Sequence, residues 1–444
     1  MYKNNFLVKN YNQIKKNGIK TLLKKLISLF FIFCQIPIFF ISVLIFIIII
    51  LIKPWYLIRW GQLHASRLGH FAVNTELYCC EQDANINFPK QRYKDFFYLT
   101  QYTSNKALEK MWRRSVTILP SWLLKPIHKI SNFFYSLLGK KNIHEINNPI
   151  QEDRDFYNLF DKFNSHVSFT VEEEVNGREI LEKFGLPKNA KFICLIVRDS
   201  GYLNRNIEHE NLRRWDYHNY RDGDIDRYVM AAEELASRGY YVFRMGINVK
   251  KPLKSSNSRI IDYANSEMRS DFMDVYLGAK CFFCVSTGCG FDGIPVLFRR
   301  PVAYVVVPIV SFFTSREKFL FLTKHHINKL TKKKLSISEI FLSNVSMALS
   351  VKEFKDNNIE LEENTPEEIR DLVIEMDERI NQKWKETEED RILQNSFWTN
   401  YKKGVDNLNS YLKQHGKIRA PLKHGKMKAK FSAKYLRDNK NWLN

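Results

Sequence analysis

The chain has 444 residues, of which 45% are hydrophobic and 26% are charged, which excludes an intrinsically disordered protein and a single small domain. We therefore expect two domains with appendages. The net charge of +21 is typical of nucleic-acid-binding proteins, but seven lysines lie in residues 1–25 and ten Lys/Arg lie in residues 411–444. Charge held at the two ends fits an anionic membrane surface better than a nucleic-acid-binding face.

A basic arm, residues 1–25, precedes a hydrophobic segment, residues 26–52, in which no residue is charged. This segment exceeds the roughly 20 residues that span a bilayer, so we expect a membrane element. A single tilted span would place the rest of the chain opposite the basic N-terminus. Pro37 allows a re-entrant hairpin instead, with both ends in the cytoplasm. The expected location is the inner membrane of the cell, with the part after the hydrophobic segment on the cytoplasmic face.

The soluble part begins with a strand, a glycine turn and a helix over residues 55–72, which opens a predicted N-terminal domain, 55–187. Seven cysteines without a regular framework indicate a reducing compartment.

From residue 190, apolar strands alternate with helices, which predicts βαβ units and a parallel sheet in a second domain, 188–350. The predicted strands are 192–197, 240–243, 259–263, 281–285 and 302–307. A helix over 224–238 is expected to end at Gly239, and a second is expected over 270–279. The remaining region, 360–444, is predicted to be a helical and basic tail, with helices at 366–382 and 386–402.

Ligands of an open parallel sheet bind beyond the carboxyl ends of its strands. This rule selects Arg198, Arg244, Asp262 and the turn 286–292. Glycines and a helix start in that turn favour a phosphate, and the two arginines would neutralise a diphosphate. The alternative is that the turn serves only as a turn and an N-cap. The donor-binding candidates are Arg198, Arg244, Asp262, Ser286, Thr287, Gly288, Gly290, Phe291 and Asp292.

Six blocks of the sequence are distinctive together: SRLGHFAVNTEL (66–77), YHNYRD (217–222), AAEEL through RMG (231–246), MRSDF (268–272), STGCGFD (286–292) and ENTPEEI (363–369). In these blocks the chain resembles a family of bacterial glycosyltransferases associated with surface-polysaccharide gene clusters. The resemblance covers about residues 55–444. Cys289 departs from it, since a threonine is expected there, and a thiol would make the loop oxidisable.

The resemblance implies an α/β, GT-B-like fold with two facing Rossmann-like domains, the donor bound in the C-terminal one. Arg67, Gly69 and Asn74 would then lie on the acceptor side. An inverting transfer needs a general base, for which His70, Glu76 and Asp199 are the candidates. His70 could instead pack at the helix start against Tyr78, and Glu76 could be a solvated helix residue.

We expect metal-independent catalysis and no cofactor, because Asp222-Gly223-Asp224 is better explained as a turn and an N-cap than as a metal site. The expected partners are a nucleotide-sugar donor, a lipid-linked or polysaccharide acceptor and an anionic membrane surface, without nucleic acid. Two alternatives stay open. One is another nucleotide-dependent transferase, although no GxGxxG run follows the first strand. The other is a non-catalytic basic membrane adaptor or nucleic-acid-binding protein.

Overall fold

The computed structural model describes residues 19–86, 88–100, 102–146, 154–201, 216–307, 316–414 and 425–444. The chain forms two compact units. The first takes its described residues from Met1–Leu63, Pro89–Thr100 and Val116–Asn147, and the second from His64–Phe88, Gln101–Ser115 and Asn148–Asn444. This division differs from the predicted domains, since His64–Phe88 belongs to the second unit.

The helices, in chain order, are α1 (Ile19–Ile52), α2 (Leu68–Asp83), α3 (Lys106–Ser115), α4 (Ser121–Leu137), α5 (Val171–Lys183), α6 (Val229–Ser237), α7 (Asp271–Lys280), α8 (Gly293–Leu297), α9 (Ile337–Leu342), α10 (Val351–Asp356), α11 (Pro366–Ile380), α12 (Glu388–Gln414) and α13 (Ala433–Asp438). The strands are β1 (Leu57–Leu63), β2 (Tyr93–Leu99), β3 (Phe192–Ile196), β4 (Tyr241–Arg244), β5 (Ile260–Ile261), β6 (Cys284–Ser286), β7 (Val302–Val306), β8 (Phe319–Thr323), β9 (His325–Asn328), β10 (Ile359–Glu362) and β11 (Lys430–Phe431).

In the first unit, β1 and β2 pair in parallel over their whole length, with Leu57 opposite Tyr93. Single parallel bridges extend this pair on both sides, from Trp60 to Glu145 and from Phe97 to Ile118. Its core joins α1, α4 and both strands through Phe46, Ile49, Trp60, Tyr98, Leu124, Ile127 and Tyr135. The C-terminal part of the hydrophobic segment is therefore packed into a folded unit through Phe46 and Ile49.

Helix α1 runs without interruption from Ile19 to Ile52, with Pro37 inside it. The predicted re-entrant turn at Pro37 is therefore wrong. A proline removes one backbone N–H, but the hydrogen bonds on either side of it can carry the helix past that position. Within the described ranges, no helix has both the length and the apolar character that a bilayer span requires.

The second unit is built on a seven-stranded sheet in the order β11-β8-β7-β6-β3-β4-β5, and every neighbouring pair in it is parallel. Strands β3, β7 and β8 have five residues each, and all of these residues are buried. This burial explains their continuous apolar sequences. The predicted α/β class and the large parallel sheet are thus confirmed. Strand β8 was not among the strands predicted from the sequence.

Local signals place the helices of this unit. Helix α11 starts with a capping box formed by Thr365 and Glu368, and Pro366 occupies its first turn. Helix α6 ends at Ser237 with Arg238 as its C-cap, and Gly239 follows with φ +95, as predicted for a C-terminal glycine. Helix α12 is longer than the predicted 386–402, because it continues to Gln414.

The last described segment, residues 425–444, is part of the second unit and not a free tail. Strand β11 pairs with β8, and Phe431, Trp442 and Leu443 are buried. The side chain of Gln394 binds the backbone of Phe431 through its carbonyl and its N–H. The basic residues of this segment therefore surround an ordered core.

Candidate functional site

The carboxyl ends of β3, β4 and β6 bring together most of the predicted donor-binding residues within the second unit. The backbone N–H of Arg198, just after β3, donates to Thr287 Oγ1 at 2.8 Å. The N–H of Thr287 donates to the carbonyl of Ile196 at 3.2 Å. These bonds hold the residues after β3 beside the glycine turn that follows β6. Both lie beyond the carboxyl ends of the strands, where ligands of open parallel sheets bind.

The turn 286–292 is stabilised by its own side chains. Ser286 Oγ donates to Asp292 Oδ2 at 2.9 Å, and the N–H of Cys289 donates to the same oxygen at 3.1 Å. Gly288 has φ +75, a backbone conformation that favours glycine. Burial raises the pKa of Asp292 to about 6, although these hydrogen bonds oppose the shift.

Asp292 thus occupies the position at the start of α8 where a helix-start phosphate was expected. Helix α8 has only five residues, so its dipole is short. The turn therefore shapes the site through its backbone, and positive charge must come from other residues.

Two arginines flank this turn. The guanidinium of Arg221 donates to the carbonyl of Gly288, and that of Arg198 pairs with the carboxylate of Asp222. Arg198 also donates to the carbonyl of His218 at 3.1 Å, which fixes the short 3-10 helix Asp216–Arg221 against the sheet edge. The sequence had not selected Arg221 as a site residue, although the YHNYRD block contains it.

The imidazole of His218 reports the local electrostatic potential. Its pKa is lowered to about 4 by burial and by the positive charges of Arg221, Arg198 and Arg67. Three guanidinium groups therefore act on one position beside the turn. Arg67 is exposed at the N-cap of α2, so it belongs to the same positive region as the two sheet-edge arginines.

Arg244 lies at the carboxyl end of β4, as predicted, but its side chain is enclosed. Its side chain is 1% exposed and is held by Asp262 at 3.3 Å and by the carbonyl of Lys251 at 3.1 Å. Burial lowers its pKa, and the charges of Asp262 and Asp199 oppose that shift. Asp262 also accepts from the N–H of Leu253 at 3.1 Å. Arg244 and Asp262 therefore tie β4 to the chain that follows it.

Asp199 lines an open cavity of about 260 Å³ at the same edge of the sheet. Its carboxylate accepts from the N–H of Gly201 at 2.7 Å and from the N–H of Lys250 at 2.9 Å. The other charged residues of the lining are Asp222, Asp224, Lys250, Lys251 and Glu363. Asp224 caps the 3-10 helix Ile225–Tyr228 by accepting from the N–H of Asp226, so the predicted turn and N-cap at 222–224 is confirmed.

The N-terminal end of α2 lies directly against the turn. A Cβ atom on Gly69 would be 3.3 Å from Cα of Gly290, and a Cβ atom on Gly293 would be 2.9 Å from Cα of Gly69. This backbone-to-backbone approach requires small residues on both sides. It places His70 and Asn74, one turn apart on α2, on the element that contacts the turn.

His70 has the contacts of an oriented imidazole. Its Nδ1 lies 3.4 Å from Oδ1 of Asn74, and its ring lies 6.3 Å from that of His64. Because the amide oxygen can only accept, this contact favours a proton on Nδ1 and leaves Nε2 as the acceptor.

Glu76 is fully buried, and its carboxylate is held by several donors. Arg299 forms an ion pair with it, and His166 Nδ1 lies 3.1 Å from its Oε1. The N–H of His166 donates to Oε2 at 3.2 Å. Both carboxylate oxygens are thus engaged, which suits neither a general base nor the solvated helix residue considered as its alternative.

Cys289 also departs from expectation. Burial raises the pKa of its thiol to about 12, with Asp292 acting in the same direction. A thiolate is the reactive form, so the predicted susceptibility of this loop to oxidation is not supported by its surroundings. Phe291 is buried and packs beside it in the core of the unit.

No family model matches the chain, and no curated protein is similar enough in sequence to match it. Several solved structures resemble it, among them these three. ADP-heptose LPS heptosyltransferase II of E. coli is 12% identical, covers 73% of this chain and 99% of its own, and has a TM-score of 0.39. A glycosyl transferase family 9 protein of Veillonella parvula is 10% identical, covers 72% and 96%, and has a TM-score of 0.44.

The third is E. coli heptosyltransferase WaaC with ADP-2-deoxy-2-fluoro heptose, which is 13% identical, covers 68% of this chain and 100% of its own, and has a TM-score of 0.32. With TM-scores below 0.5, these likenesses carry no argument about activity.

Proposed function

We propose that this protein is a glycosyltransferase that takes a sugar from a nucleoside-diphosphate donor bound at the carboxyl edge of the seven-stranded sheet. The observation that carries the proposal is the group of three guanidiniums around His218, beside the turn at Gly288. A diphosphate is the leaving group whose two negative charges such a cluster would stabilise.

The glycine turn supports the same assignment by its geometry. Gly288 has the positive φ that the turn requires, and Gly290 lets the backbone of Gly69 lie close to the turn. Ser286 and Thr287 are engaged in fixing the turn, through Asp292 and Arg198. We therefore assign the direct phosphate contacts to Arg221, Arg198 and Arg67, and a shaping role to the turn.

We propose an inverting, metal-independent transfer in which His70 removes the proton of the acceptor hydroxyl. Asn74 would hold the Nδ1–H, so that Nε2 faces the acceptor. In this scheme the arginines do the work of a divalent cation at the leaving group. Asp199 lines the neighbouring cavity and is the second candidate for the base.

The finer parts of the assignment follow from the sequence. We propose a GT-B-type enzyme of surface-polysaccharide synthesis that acts on a lipid-linked or polysaccharide acceptor. We also propose that it works at the cytoplasmic face of the inner membrane, with the hydrophobic segment 26–52 providing membrane association.

Calorimetric titration of the full chain with UDP, GDP and ADP tests the donor site. Replacing Arg221 by alanine should weaken nucleoside-diphosphate binding roughly tenfold or more, because a charged hydrogen bond contributes about 1.5–3 kcal/mol. Arg391→Ala is the control, since that guanidinium pairs with Glu388 on α12 and its side chain is 57% exposed. Unchanged nucleoside-diphosphate affinity in both Arg221→Ala and Arg198→Ala would contradict the assignment of this donor site.

A second measurement separates chemistry from binding. His70→Asn should lower kcat by about 10²–10⁴-fold, as loss of a general base does, while nucleoside-diphosphate affinity stays unchanged. If His70→Asn keeps its kcat and Asp199→Asn loses it, the base is Asp199.

A further inference from the structure

An apolar surface of the first unit extends beyond the hydrophobic segment. On α1, the exposed side chains between residues 36 and 52 are Ile36, Phe39, Phe40, Ile41, Leu44, Ile47, Ile48 and Leu51, and each is about half exposed or more. On α4, Trp122, Phe133 and Leu137 are 63%, 68% and 70% exposed. Soluble monomers rarely leave so many large apolar side chains together on one surface.

The two helices are fixed relative to each other. The rings of Phe46 on α1 and Phe134 on α4 meet edge to face, 5.6 Å apart, and Phe46 also contacts Trp60 of β1. Because Phe46 is buried at 4% exposure, α1 cannot turn its outer face inward without losing this core. The exposed face is therefore a property of the folded unit.

A groove of about 510 Å³ runs between α1 and α4. Its lining is aliphatic and aromatic, with Phe39, Ile47, Leu51, Phe133 and Leu137 among the lining residues. One charged residue, Lys129, contributes to it. A groove of this shape and chemistry fits hydrocarbon chains.

The charges beside the groove indicate which hydrocarbon would fill it. Residues 121–144 contain four lysines and neither Asp nor Glu. On α4, Lys125 and Lys129 are exposed and lie at helical spacing between Trp122 and Phe133. Lysines in such positions can extend to a headgroup layer while their stems stay on apolar surface.

Aromatic residues continue the same pattern. Trp55, which follows α1, is 76% exposed, and Tyr56 is 38% exposed. Tryptophan and tyrosine concentrate where hydrocarbon meets headgroups. Apolar surface, aromatic residues and lysines occur together on this unit as they do on in-plane membrane helices.

We propose that α1 and α4 together form a docking face for an anionic lipid bilayer, and that acyl chains of one leaflet fill the groove between them. This rests on the membrane association included in the proposed function and extends it to α4, which carries no membrane signal of its own in the sequence. The docking face places Lys125 and Lys129 at the phosphate layer.

An environment-sensitive fluorophore on Phe133→Cys in the full chain tests this directly. Addition of vesicles containing phosphatidylglycerol should shift its emission to the blue, and vesicles with brominated acyl chains should quench it. The same fluorophore on Leu342→Cys is the control, because Leu342 is an exposed apolar residue, at 66%, on α9 of the second unit. Equal response at both positions, or none at 133, overturns the proposal.

Charge and self-association are tested in parallel. Lys125→Gln with Lys129→Gln should weaken binding to anionic vesicles on the order of tenfold and leave binding to neutral vesicles unchanged. A blue shift at position 133 that depends on protein concentration without vesicles would show that a second copy of the chain covers this face, and would overturn the proposal. Nucleoside-diphosphate binding to the same samples, measured by calorimetry, shows whether the donor site is intact when membrane docking is lost.

Discussion

Arg299 neutralises Glu76 in the interior of the second unit, where the carboxylate is fully buried and the guanidinium is 14% exposed. The same guanidinium donates to the carbonyls of Phe163 at 2.8 Å and Asn164 at 2.9 Å. The pair therefore ties α2 to the chain after α8 and to the segment before α5. Glu76 supports the fold and does not take part in the proposed chemistry.

Replacing Glu76 by glutamine should lower the free energy of unfolding by about 3 kcal/mol or more, because it leaves a buried guanidinium without its counter-charge. Chemical denaturation of the full chain, followed by circular dichroism, measures this. Glu388→Gln is the control, since Glu388 and its partner Arg391 are 70% and 57% exposed, and its effect should stay under about 1 kcal/mol. Equal losses in both variants would contradict a buried ion pair at Glu76.

Replacement by alanine should change the stability of the protein to different extents at two glycines of the site. A methyl on Gly293 meets the backbone of Gly69 at 2.9 Å, which α2 can relieve only by moving. We expect Gly293→Ala to cost about 1–3 kcal/mol of stability. On Gly290, the nearest atom would be 3.4 Å away, an ordinary contact, so Gly290→Ala should change stability by less than about 0.5 kcal/mol.

The same pair separates packing from binding. If Gly290 lies where a phosphate approaches, Gly290→Ala should weaken nucleoside-diphosphate binding in calorimetry although the melting temperature is unchanged. Full affinity in a stable Gly290→Ala variant would move the phosphate away from this residue.

His218 should titrate with a pKa of about 4 in the free protein, against an ordinary value of 6.5, because burial disfavours the charged imidazolium and because protonation adds a positive charge beside Arg221, Arg198 and Arg67. A bound diphosphate brings negative charge, which favours the protonated form and should raise that pKa. Donor binding should therefore strengthen as the pH falls toward the raised pKa of His218 in the complex. NMR titration of labelled histidines measures the shift, and His218→Asn identifies the signal. An ordinary pKa in the free protein would remove the evidence for a strong positive potential.

Cys289 should react slowly with alkylating reagents in the folded protein. With a pKa of about 12, the thiolate fraction at pH 8 is on the order of one in ten thousand. Mass spectrometry after timed iodoacetamide treatment should show Cys289 unmodified in the native state and alkylated in urea. Rapid native labelling at this residue would mean that the loop opens to solvent. Cys289→Thr should retain nucleotide binding, because the turn is held by the backbone N–H at this position.

The strands of the large sheet were readable where burial on both faces produces continuous apolar sequence, as in β3 and β7. In the first unit, strand β2 could not be predicted from the sequence, because Asp95 interrupts its apolar pattern. That carboxylate is buried and pairs with Arg59 of β1 at 2.6 Å, a contact between residues that are 36 positions apart. Strand β11 has two residues, too few for any periodicity.

For the site, sheet topology alone placed Arg198 and the turn 286–292 together. The roles of individual charges could not be read in this way. Arg244 follows β4 as expected, but only the fold shows that Asp262 and Lys251 enclose it. Glu76 meets Arg299 across 223 positions of sequence, and no local pattern reports such a partner.

Strand β11 has a consequence for the order in which the protein is completed on the ribosome. It covers the outer edge of β8, and its residues 430–431 are translated after every other strand of the sheet. Until then, the outer edge of β8 is unpaired, and it consists of residues that are buried in the folded protein. Nascent chains can pair with one another along such an edge. A chain interrupted after α12 would retain every residue of the proposed donor site and still carry this exposed edge, so synthesis of the last segment should protect the protein from aggregation.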